Sequence, residues 1–125
     1  MADEALNDLF ASAWPEHRPR AFGAVLRRSL AWVCAFRGPR LVGFVNVAWD
    51  GERHAFLLDP TVHPDVRRRG VGLRLVQAAA RAAREAGAEW LHVDYAHDLE
   101  PFYRRAGFRP TAAGLLDLRE RGGGK

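Results

Sequence analysis

The residues best placed to do chemistry in this chain form one run, Val62-His63-Pro64-Asp65-Val66-Arg67-Arg68-Arg69-Gly70-Val71-Gly72. An apolar stretch leads through three consecutive arginines into glycines that open a long helical pattern. The first amides of a helix lack internal partners and sit at the positive end of its dipole, and glycine lets an anion approach the main chain without a Cβ in the way. A diphosphate would fit such a turn. An ordinary capped helix with solvated arginines fits the same pattern, so context must decide.

Stepping outward along the chain, Ala5, Leu6, Leu9, Phe10 and Ala13 recur at helical spacing over residues 3–13, and Pro15 ends the pattern. A proline- and charge-rich stretch over 14–20 precedes a second helix expected over 22–30, with Arg27 and Arg28 near its end where cations suit the dipole. Aromatic and β-branched runs over 31–36 and 41–49, parted by Gly38 and Pro39, predict an antiparallel hairpin. After the turn at Asp50 and Gly51, residues 54–59 are mostly apolar and are expected to form a central strand buried on both faces.

The clearest helix spans 70–86. Arg74, Gln77, Arg81, Arg84 and Glu85 make its polar stripe, opposite Leu75, Val76, Ala79, Ala82, Ala83 and Ala86. Gly87 stops it and a strand over 90–95 follows, a crossover that makes parallel neighbours. Asp98 is the expected cap of a short helix over 99–106 ended by Gly107, residues 108–118 have broken strand character, and 122–125 read as a disordered tail.

The 125 residues suit one domain, taken as 1–121, with 48% hydrophobic and 27% charged residues, a globular balance. No apolar run approaches the roughly 20 residues that span a bilayer. Asp3, Glu4 and Asp8 stand where an export signal would be basic, and the single Cys34 can form neither an internal disulfide nor a metal cluster and reads as a buried, inert thiol. These features favour a cytoplasmic protein without membrane or metal partners. The net charge of +4 invites a nucleic-acid reading. All but the terminal Lys125 of the 19 basic residues are arginine, which points to coding bias instead, and no aromatic stacking motif accompanies them.

A second motif, Phe102-Tyr103-Arg104-Arg105-Ala106-Gly107-Phe108, follows the crossover strand. Together the two motifs resemble the GNAT superfamily of acetyl-CoA-dependent N-acetyltransferases. Its Arg/Gln-x-x-Gly-x-Gly/Ala signature matches Arg67, Gly70 and Gly72, preceded by Thr61-Val62-His63-Pro64 as the usual strand end. The resemblance covers about residues 21–118. It implies an α/β fold, a mostly antiparallel sheet with one splayed parallel strand pair and helices on both faces. The usual first strand is expected to be absent, because Met1 leads almost directly into a helix.

The resemblance further implies direct attack of a primary amine, on a small molecule or a protein, upon acetyl-CoA. Cofactor contacts fall to Thr61, Val62, His63, Arg67, Arg68, Arg69, Gly70, Val71, Gly72, Leu73 and Phe102, with a main-chain amide near Val62 polarising the thioester carbonyl. Tyr103 is the resemblance's proton donor to the departing thiolate. Spacing alone reads Tyr103 as a core residue of an amphipathic helix.

The base is open. Many relatives carry a strand glutamate where this chain has Phe56, so Asp59 is the first choice, although a carboxylate before Pro60 is equally a turn former. His54, His92, Asp94 and His97 are alternatives, and His92 and Asp94 could relay a proton through water. Relatives often have asparagine where Ala96 stands, which removes one cofactor contact. Trp32, Trp49 and Trp90 read as core or sheet surface, and Asp50 and Glu52 as a solvated turn. A non-catalytic acyl-CoA sensor is the rival function, and a homodimer covering an open sheet edge is a modest expectation.

Overall fold

The structure is a computed structural model that describes residues 2–119. It divides into a unit ending at Tyr95 and a unit beginning at Ala96.

In the first unit, helix α1 (Asp3–Ala13) buries Leu6, Leu9 and Phe10. The proline-rich connector after it is held by α1 side chains. Asn7 Oδ1 accepts from Arg20 N at 2.9 Å, and Asp3 Oδ1 accepts from Phe22 N at 3.0 Å. Phe22 thereby joins the α1 cluster with Leu26, Leu41 and Phe44. Helix α2 (Gly23–Arg28) is shorter than the sequence pattern suggests, because Ser29 turns extended and its hydroxyl binds the Asn46 side chain.

The sheet has order β1-β2-β3-β4, built from β1 (Ala31–Arg37), β2 (Arg40–Trp49), β3 (His54–Val62) and β4 (Trp90–Val93). The first two pairings are antiparallel and β3 with β4 is parallel, as expected for the crossover through helix α3 (Val71–Glu85). Phe44 on β2 meets α1, whereas a Cβ on Gly43 would lie 2.9 Å from Leu75 of α3. Helices therefore cover opposite faces. Glycine at 43 and the buried Ala79 and Ala83 let α3 lie close on the sheet.

Two expectations change here. Strand β3 is not buried on both faces: Ala55 and Leu57 are buried while Phe56 and Leu58 are 38% and 42% exposed. Helix α3 covers one side, and the α1 cluster centres on β2 instead of the other side of β3. Strand β4 ends at Val93 instead of Tyr95.

In the second unit a 3-10 turn (His97–Leu99) leads into helix α4 (Glu100–Arg105). Leu99, not Asp98, is the N-cap, and no side chain caps the helix. Residues 108–117 form no strand, and Leu115, Leu116 and Leu118 are exposed. The expected tail over 122–125 lies outside the described residues. Among the described residues no helix is long and apolar enough to cross a membrane, and no group of three or more His, Cys, Asp or Glu could hold a metal ion.

Candidate active site

The arginine-rich turn begins where β3 ends. Val66 is buried and anchors a 3-10 turn (Pro64–Val66), leaving Arg67, Arg68 and Arg69 exposed. Arg68 and Gly70 both have positive φ, 66° and 78°. Two left-handed residues so close together turn the chain sharply into α3. Gly70 is the N-cap, without a side-chain cap hydrogen bond. The leading amides of α3 are thus left for water or a ligand. A Cβ on Gly70 would project into open space, so the close approach that an anion needs is available there. Val71, Gly72 and Leu73 form the first helical turn; Arg69 and Val71 also border a groove of about 470 Å³ along β1.

His63 has a structural task. Its Nδ1 accepts from Asp65 N at 3.1 Å, and its Nε2 meets Arg40, which pairs with Asp65 at 3.3 Å. This knot orders the turn. Arg40 escapes a linear reading because it arrives from β2.

Strands β3 and β4 pair from His54–Trp90 to Leu57–Val93 and no further. Beyond that rung β3 continues to Val62 against β2 alone. Successive strand amides point to opposite sides. His63 N donates to Val42 O of β2 at 2.8 Å, so the amide of Val62 points away from β2, into the opening beyond β4.

Asp59 occupies a bulge in β3. It is exposed, with φ 55°, and two residues, Asp59 and Pro60, stand between partners that are matched by Val45 alone on β2. The extra residue turns Thr61 to the α1 side, where its hydroxyl accepts from Trp14 Nε1 at 3.2 Å and donates to Asp59 O at 3.0 Å. The turn-forming reading of Asp59 therefore has a concrete basis.

Other candidates separate similarly. Asp50 Oδ1 accepts from the amides of Glu52, Arg53 and His54, and those of Glu52 and His54 hold its carboxyl below the usual range. Cys34 is half-buried against the α1 cluster, and burial raises its thiol pKa. Trp32 and Trp90 lie exposed on the sheet surface.

His54 and His92 are hydrogen-bonded to each other, Nδ1 to Nε2 at 2.8 Å. The sequence expectation had linked His92 to Asp94. In the second unit, Tyr103 is buried, with edge-on contacts to Phe102 at 4.9 Å and Phe108 at 5.6 Å between ring centroids. His97 sits in the 3-10 turn.

Comparison with known proteins agrees with this architecture. Residues 2–108 match the family described as "Acetyltransferase (GNAT) family". A GNAT-family acetyltransferase of Streptococcus pneumoniae superposes with a TM-score of 0.80 at 23% identity, covering 96% of this chain and 93% of that one. AAC(6')-Iy, solved with the bisubstrate analogue CoA-S-monomethyl-acetylneamine, gives 0.73 at 23% identity, covering 94% and 90%. A curated relative, the tRNA(Met) cytidine acetyltransferase TmcA of Aeropyrum pernix, is 42% identical over 50 residues, 39% of this chain and only 7% of that protein. With its mixed sheet, parallel strand pair and uncapped arginine-glycine turn, the chain belongs to the GNAT acetyltransferase family.

Proposed function

We propose that this acetyltransferase transfers the acetyl group of acetyl-CoA to a primary amine of a small molecule or a protein by direct attack of the amine on the thioester. The observation that carries this reading is the direction of the Val62 amide, aimed into the opening past β4. The open strand edge and the uncapped start of α3 lie at the two ends of one short turn. The turn suits a ligand with an extended amide-bearing arm and a diphosphate.

Gly70, Val71, Gly72 and Leu73 would hold the diphosphate through main-chain amides, helped by Arg67, Arg68 and Arg69. Thr61 and Val62 would line the arm, His63 would keep the turn in shape, and Phe102 would add an apolar contact. When bound, acetyl-CoA supplies an acetyl carbon activated as a thioester. The Val62 amide would donate to its carbonyl oxygen as charge develops there. Tyr103 would give a proton to the departing thiolate. For Asp59 we propose a backbone role, shaping the strand end through its bulge.

The family match crosses from the first unit into the second, which supports one functional domain over 1–121. A cytoplasmic setting belongs to the same proposal, and the unpaired edge of β1 supports pairing with a second copy. The test is mass spectrometry of acetyl-CoA incubations with a panel of amines, including polyamines, peptides and tRNA. New acetylated amine with release of free CoA thiol is expected; hydrolysis alone, with no acetylated acceptor, would overturn the reading.

A further inference from the structure

The sheet face opposite α3 carries a polar device that the diphosphate turn does not use. His54 Nδ1 and His92 Nε2 are 2.8 Å apart, and the His92 ring stacks on Phe56 with centroids 4.7 Å apart and planes 19° apart. His92 stands opposite Phe56 on the rung just before Leu57–Val93, the last one that joins β3 to β4. His54 lies one step further back. We infer that His92 is the catalytic base that takes the proton from the incoming amine, with His54 as the positioning residue that passes it on; this rests on the acetyl transfer proposed above.

Access favours this face. Ala55 and Leu57 are buried on the α3 side, whereas Phe56 and Leu58 are exposed on the histidine side. An acceptor therefore reaches the opening from the side on which the two imidazoles lie. Alternate residues of a strand stand about 7 Å apart, so a group on the Phe56–His92 rung is within one water of an atom held beside Leu58. Phe56 cannot ionise, and its ring holds His92 flat.

Proton bookkeeping follows from imidazole chemistry. A hydrogen bond between two neutral imidazoles uses one N–H and one lone pair. Of the two outer nitrogens, His92 Nδ1 and His54 Nε2, one is then an acceptor and the other a donor. With His92 Nε2–H donating to His54 Nδ1, His92 Nδ1 accepts a proton from the ammonium, the shared proton moves to His54, and His54 Nε2–H releases one to solvent. The freed amine lone pair forms the C–N bond, the C–S electron pair leaves with sulfur, and the remaining surplus amine proton goes to the thiolate. One proton enters the pair and one leaves; exchange with water resets the tautomer. The charged residues next to the pair along the two strands are Arg53 and Glu89, which pair with each other at 3.1 Å, and Asp94, two residues past His92.

The experiment compares wild type, His92→Gln and His54→Gln, each checked for folding by circular dichroism and for acetyl-CoA affinity by calorimetry. Transfer is measured against pH with n-butylamine, whose pKa resembles that of lysine at about 10, and glycinamide, an α-amine near 8. His92→Gln is expected to leave acetyl-CoA affinity unchanged, lower butylamine turnover at pH 7 by about 10²- to 10⁴-fold, lower glycinamide turnover less, and erase the acidic limb of kcat/KM. His54→Gln is expected to cause a smaller loss and to move that limb. Full activity in His92→Gln, equal losses with both amines on an unmoved limb, or a wild type that binds acetyl-CoA tightly yet acetylates neither amine would each overturn the histidine pair. A wild type that does not bind acetyl-CoA would instead overturn the proposed function, and this inference with it.

Discussion

The two halves of β3 solve different problems with different parts of the chain. Its first half, paired to β4, presents side chains, Phe56 stacked on His92 of β4 and His54 hydrogen-bonded to that same ring. Its second half, freed from β4, presents main chain, first the Val62 amide and then the left-handed turn at Arg68 and Gly70. The first half depends on residue type and cross-strand register. The second depends on backbone conformation and tolerates many side chains as long as the turn survives.

Substitutions that attack one half should spare the other. Gly70→Glu should have the largest effect. It puts a negative charge and a strained side chain in the proposed diphosphate seat, where φ is already 78°, and acetyl-CoA affinity should fall by more than about a hundredfold, since roughly 3 kcal/mol is lost with a few charge-assisted contacts. Calorimetry would read this, and retained affinity would break the contrast by removing the main chain from binding. Tyr103→Phe should lower kcat by about tenfold to a hundredfold with little change in acetyl-CoA affinity, as expected for loss of a proton donor. Equal rates would return Tyr103 to a packing role.

Gly43→Ala should disturb both halves slightly. Its Cβ would sit 2.9 Å from Leu75 Cδ1 and 3.2 Å from Val71 Cγ1, and overpacking of this kind destabilises by about 1–3 kcal/mol. Denaturant unfolding would show it as a lower midpoint. Asp59→Asn is the smallest change, because asparagine accepts a left-handed backbone readily. The acidic limb of the pH–rate profile should persist in this variant; its loss would transfer the base from the histidine face to the bulge.

The sequence exposed these regions unequally. The start of α3 at Gly70 could be read directly, because a sharp left-handed turn into a helix favours glycine. The parallel crossover was equally visible in the switch from strand to helical periodicity and back. His54 and His92 were individually visible and their partnership was not. They are 38 residues apart, and only the β3–β4 register brings the rings together. The same holds for Arg40 on His63 and Trp14 on Thr61. Residues 108–117 misled in the other direction, since apolar leucines suggested a strand that the described structure does not form.

The irregularity at Asp59 also implies a rule about chain length. Taking out one of the two residues there would restore a regular ladder, two steps from Leu58 to Thr61 against two from Asn46 to Phe44, so Thr61 would still face the Trp14 indole and the Val62 N–H would still point away from β2. The strand end should therefore keep its bearings with one residue fewer at this point.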